Sequence, residues 1–114
     1  MAKYLVSVLA MALAASIAFS AGPAKAASFD CRKASNTIEW TICGDRRLSN
    51  LDSEMGDLYR QAMRSPWLNS DNVRNDQRRW LRNRNRECGN ERDPYYCLGY
   101  MMEERIRYLQ QLLY

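Results

Sequence analysis

Histidine is absent from this 114-residue chain, which removes the side chain most used for proton transfer near neutral pH and for metal ligation. The 5 glycines and 3 prolines are scattered, so no Gly-rich loop is available to cradle a nucleotide phosphate. No stretch alternates polar and apolar residues as a half-buried strand does, and there is no internal repeat or low-complexity tract. The main apolar run, Leu5 to Phe19, falls short of the roughly 20 residues that cross a bilayer. Lysine is nearly missing beyond residue 26, where only Lys33 remains and every other basic side chain is arginine.

What is present first concerns the compartment. Lys3 gives a positive start, the apolar run follows, Pro23 ends any helix, and Ala24-Lys25-Ala26 has the form that a signal peptidase cuts after. Residues 1–26 are therefore expected to be a cleavable signal peptide, with an exported, periplasmic or secreted domain at 27–114. Cys31 follows Phe29-Asp30 rather than small residues, so neither a lipid anchor nor a stable membrane anchor is expected. Removing residues 1–26 from the 114 leaves 88, one small domain. It also takes away Lys3 and Lys25, which lowers the basic count from 17 to 15 against 13 acidic residues, a balance of +2. That near-neutral total argues against a dedicated nucleic-acid binder.

A domain of this size buries too little apolar surface to rely on its core alone, and covalent staples are the usual remedy. The 4 cysteines, Cys31, Cys43, Cys88 and Cys97, all lie downstream of the export signal. In an oxidising compartment an even count reads as disulfides. Their gaps are too wide for a zinc knuckle and no histidine assists, so no metal or other cofactor is expected. Pairing Cys31 with Cys43 and Cys88 with Cys97 closes a short loop around a helix start in each case. The competing arrangement joins Cys43 to Cys88.

Helical periodicity fills the rest, and the expected class is all-α. Asn36-Thr37-Ile38-Glu39 resembles a capping box for a short helix that ends at Cys43-Gly44. Leu48, Leu51, Met55, Leu58, Tyr59 and Ala62 form one helical face, with Asp45 as cap and Ser65-Pro66 as stop. Val73, Gln77, Trp80, Leu81 and Arg84 form a second, with Asp71 as cap. Leu98, Met101, Met102, Arg105, Ile106, Leu109, Leu112 and Leu113 form a third, opened by Asp93 as cap and Pro94 as first helical residue. The short loop from Ser65 to Ser70 makes the first two long helices an antiparallel hairpin, with the third packed across it.

A turn near Trp67-Leu68 pairs residues whose numbers sum to about 136. Met55 then meets Trp80 and Leu48 meets Cys88. Asp52 meets Arg84, and Tyr59 meets Gln77. These last four lie on the apolar stripes, where a polar side chain is costly unless satisfied, so an Asp52–Arg84 ion pair and a Tyr59–Gln77 hydrogen bond are expected.

Read in order, the chain gives Phe29-Asp30-Cys31, Glu39, Ile42-Cys43, Leu48, Leu51-Asp52 and Tyr59. Gln77-Arg78-Arg79-Trp80-Leu81, Arg84-Asn85, Cys88-Gly89, Cys97-Leu98, Tyr100 and Arg105-Ile106 follow. This string resembles the LprI-type lysozyme inhibitor family of small exported bacterial helical domains. The resemblance implies a binding protein without catalysis, whose partner is another protein such as a c-type lysozyme. Enzymes of that class are strongly basic, so an inhibitor benefits from a negative face; Asp45, Glu54, Asp57 and Asp71 are candidates for one.

Two further surfaces are candidates. Trp67 and Leu68 sit at the hairpin tip beside Pro66, either as a partner anchor or folded back to cap the bundle. Arg78, Arg82 and Arg86 recur every four residues, with Arg79 nearby, as a stripe that is either a solvated face or an anionic-surface binder. Trp80, flanked by arginines, is assigned to the core. Glu103 precedes Arg107 by four, a surface support pair. An alternative to inhibition is a structural or interaction role with another envelope component.

Overall fold

The computed structural model describes residues 28–114; the expected export signal lies outside the described residues. A 3-10 turn at Cys31–Lys33 leads into α1 (Thr37–Gly44), α2 (Arg46–Arg64), α3 (Ser70–Gly89) and α4 (Tyr95–Leu113), with no strand among the described residues. No helix among them is long and apolar enough to cross a membrane.

Local chemistry sets the boundaries. The Asn36 side chain accepts from the Glu39 backbone N–H at 2.9 Å, and its amide donates to the Glu39 carboxylate at 3.0 Å, a capping box whose return bond comes from the Asn36 side chain and not its backbone. Asp45 closes α1 and opens α2: its N–H reaches the Ile42 carbonyl, and its carboxylate accepts from the Leu48 N–H at 2.9 Å. Ser49 secures the same corner by donating to the Ile42 carbonyl at 2.6 Å.

Two expected caps fall elsewhere. Asn69, not Asp71, caps α3, accepting from the Asn72 N–H at 3.0 Å. An amide at this position does what a carboxylate would, and Asp71 instead pairs with Arg74 at 2.8 Å. Pro94 occupies the cap of α4 rather than its first turn, while Asp93 accepts from the Tyr95 N–H at 3.1 Å.

Both disulfides are the local ones, Cys31–Cys43 and Cys88–Cys97. The first ties the 3-10 turn to the end of α1, and the second ties the end of α3 to the start of α4. The alternative Cys43–Cys88 link is not made.

The core divides along the bundle. Ile38, Ile42, Leu48, Cys88, Leu98 and Met102 cluster at the stapled end. Met55, Leu58, Ile106 and Leu109 cluster toward the hairpin tip. Rising numbers on both α2 and α4 pass from the first cluster to the second, so these helices run parallel, with α3 antiparallel to them. The long apolar stripe of α4 therefore lies along α2 and does not cross the hairpin. Half-buried Leu51 and Trp80 pack against both clusters and join them.

Candidate functional site

Three features stand out among the candidate residues: a buried ion pair, a second buried arginine network and the hairpin tip. Arg84 lies 3.4 Å from Asp52, with side chains 6% and 2% exposed. The other Asp52 oxygen accepts from the backbone N–H and the hydroxyl of Ser28, at 2.8 and 2.5 Å. Arg84 also donates twice to the Asn85 side-chain oxygen, from Nε and from a terminal nitrogen, both at 3.1 Å. Burial pushes the Arg84 pKa down, opposed first by Asp52 and then by Glu39. No buried side-chain polar atom among the described residues lacks a partner, the Asp52 and Arg84 charges included.

Gln77 does not bond Tyr59. Its carbonyl accepts from Arg105 Nε at 2.9 Å, and Arg105 also reaches Asp76 at 2.6 Å. Arg105 is a buried cation on α4, and a charge-assisted bond to it outcompetes a neutral phenol. An antiparallel count about the α3–α4 turn brings residue 77 opposite roughly residue 107, within one helical turn of Arg105, so the sequence carried only a coarse register signal for this pair.

Trp80 is both core and cation partner. The guanidiniums of Arg84 and Arg105 each lie 5.6 Å from its ring centroid, and Arg105 is 4.6 Å from that of Tyr108. Glu103 bonds Arg47 on α2, and Arg107 bonds Glu104, one turn-step closer than the expected pair. A Cβ at buried Gly99 would lie 2.5 Å from a terminal nitrogen of Arg47, so the bare glycine leaves room for that guanidinium against α4.

At the tip, the Ser65 N–H reaches the Ala62 carbonyl and its hydroxyl accepts from the Trp67 N–H at 3.3 Å. Together with Pro66 and the Asn69 cap, this holds the loop at both ends. Leu68 is half-buried, but Trp67 is 90% exposed. The indole projects from the molecule and does not cover the bundle's open end. Beside it runs a groove of about 560 Å³ between the first turns of α3 and the last turns of α4. Its floor holds Val73, Leu109 and the Asp76–Arg105 pair; its margins hold Trp67, Tyr108 and the asparagines at 69, 72 and 75.

Arg78, Arg82 and Arg86 are exposed on α3. Arg86 bonds Asn83 and Arg79 lies 3.6 Å from Asp76. Arg78, Arg79, Arg82 and Asn75 line a shallow cleft. Of the carboxylates proposed for a negative face, Asp45 is a cap, Asp57 bonds Arg60 and Asp71 bonds Arg74.

The fold and tip define a small disulfide-stapled helical domain with an exposed indole and a groove at one end of its bundle. The sequence model of the family described as Lysozyme inhibitor LprI matches residues 30–109, and the chain belongs to that family. No curated protein and no solved structure matches it.

Proposed function

We infer that the mature chain is an exported, non-catalytic inhibitor that occludes the substrate cleft of a c-type lysozyme, with Trp67 and Leu68 as the leading wedge. The carrying observation is Trp67: an aromatic side chain 90% exposed on a loop fixed by Pro66, Ser65 and Asn69. Tryptophan is enriched among residues that dominate binding energy, and a pre-ordered loop loses little entropy when it docks. Family membership supports a protein partner. Export is supported by the signal-like segment at 1–26 and by two disulfides, which persist in oxidising compartments.

The test pairs a cell-wall clearing assay with direct calorimetry against the enzyme. The wild-type chain slows clearing in proportion to its concentration. Trp67→Ala weakens binding by about 30-fold, the ~2 kcal/mol expected of a hot-spot residue. No slowing at stoichiometric excess removes the inhibitor reading.

One observation favours a second reading. Arg78 and Arg82 share a cleft and have no ion-pair partner among the described residues, as an anionic-surface binder requires. Such binding collapses between low and moderate salt, whereas a wedge in a cleft does not.

A further inference from the structure

We propose that the groove behind Trp67 is a saccharide-binding site that takes an oligomer of N-acetylated amino sugars. This goes beyond the inhibitor reading and stands or falls separately from it.

The charged groups of the groove are already engaged with one another. Arg105 is committed to Asp76 and Gln77, and Arg79 lies against Asp76. Apart from Arg79, whose side chain is 65% exposed beside Asp76, the groups left facing solvent are uncharged: the Trp67 indole N–H, the Tyr108 hydroxyl, and the side-chain amides of Asn72 and Asn75. None of these donates or accepts a hydrogen bond among the described residues. A site whose free groups are amides, a phenol and an indole suits a neutral ligand rich in hydroxyl and amide groups.

Shape and spacing narrow the class. The volume, about 560 Å³, falls within the roughly 300–1,000 Å³ typical of small-ligand sites. Trp67 comes from the loop and Tyr108 from α4, so flat aromatic faces reach the groove from two elements. Such faces combine apolar area with a polar edge, which matches a pyranose ring having a C–H face and a hydroxyl rim. Asn69, Asn72 and Asn75 step along α3 by about 4.5 Å each, comparable to the repeat of a linear sugar chain. The Asn69 oxygen is spent on the helix cap, but Asn72 and Asn75 keep both donor and acceptor. An acetamido group presents its N–H and its C=O on opposite sides, so one asparagine amide can donate to the carbonyl while the next accepts from the N–H, a pairing that a plain glucan, which has no acetamido group, does not offer.

The test titrates tri-N-acetylchitotriose, cellotriose and maltotriose into the isotope-labelled mature protein, followed by NMR. The acetylated trimer is expected to give saturable shifts at the Trp67 indole and at the Asn72 and Asn75 side-chain amides. Cellotriose should bind at least tenfold more weakly and maltotriose not measurably. Asn72→Ala/Asn75→Ala alters only exposed side chains, so its melting curve should match wild type while affinity for the acetylated trimer drops at least tenfold. Absence of saturable shifts, shifts confined to another face, or undiminished binding by the double variant each overturns the site. Equal binding of cellotriose overturns the assignment to N-acetylated sugars. Lysozyme inhibition measured on the same variant separates the two readings: the double variant loses the sugar and keeps the inhibitor's wedge.

Discussion

Asp52 and Arg84 are charges taken almost completely out of water, and their value lies in mutual satisfaction more than in net attraction. Removing one partner strands the other, so Asp52→Leu should destabilise by about 3–5 kcal/mol in urea unfolding, whereas Asp52→Leu/Arg84→Met should cost far less. A double variant no better than the single one would show that Ser28 and Asn85, not the pair, carry the site. Gly56 acts on the same carboxylate from a distance. A Cβ there would lie 2.6 Å from the Ser28 Cβ, so Gly56→Ala should lift the N-terminal segment off α2. Alanine contributes about 1 kcal/mol of helix propensity, less than the roughly 1.5–3 kcal/mol of each bond to a charged acceptor that Ser28 would surrender. Net destabilisation, with the Ser28 amide signal moving toward its random-coil position, is the expected result.

At the level of elements, most of the architecture was legible in the sequence because apolar spacing and turn chemistry agree. The stripes on α2, α3 and α4 supply the core, and Pro66 marks the only short break between the hairpin arms. The α2–α3 count placed Asp52 opposite Arg84 but failed near the tip, where Arg105 on α4 takes Gln77. A pairwise count cannot see a third helix arriving with a stronger donor. Half of the groove was equally hidden, since Tyr108, Asp76 and the asparagines gain meaning only when α3 and α4 lie side by side. α1 is the element most dependent on its staple, having 8 residues and only two buried side chains, Ile38 and Ile42. Cys31→Ser/Cys43→Ser should lose about 3 kcal/mol by the chain-entropy model. Hydrogen exchange should show α1 opening first while α2 to α4 stay protected; uniform loss of protection would mean that α1 is integral to the bundle.

Taken as a whole, the molecule is asymmetric along its axis. Both crosslinks, the corner at Asp45 and the larger apolar cluster are gathered at one end. The opposite end is held by Met55, Leu58, Ile106 and Leu109 and bears the exposed indole and the groove. If the groove holds cell-wall glycan, two quite different events protect a cell wall in a clearing assay: the enzyme is plugged, or its substrate is masked. Calorimetry against the enzyme alone distinguishes them, which is why it accompanies the Trp67→Ala measurement above.

The placement of the sulfur bridges has a consequence for how such a domain diversifies. Because the covalent framework sits far from residues 65–69, changes in that segment leave the oxidative folding of the base undisturbed. If the tip is the binding surface, the bundle is a fixed stem with an exchangeable head, on which a new target could be acquired by rewriting a handful of turn residues.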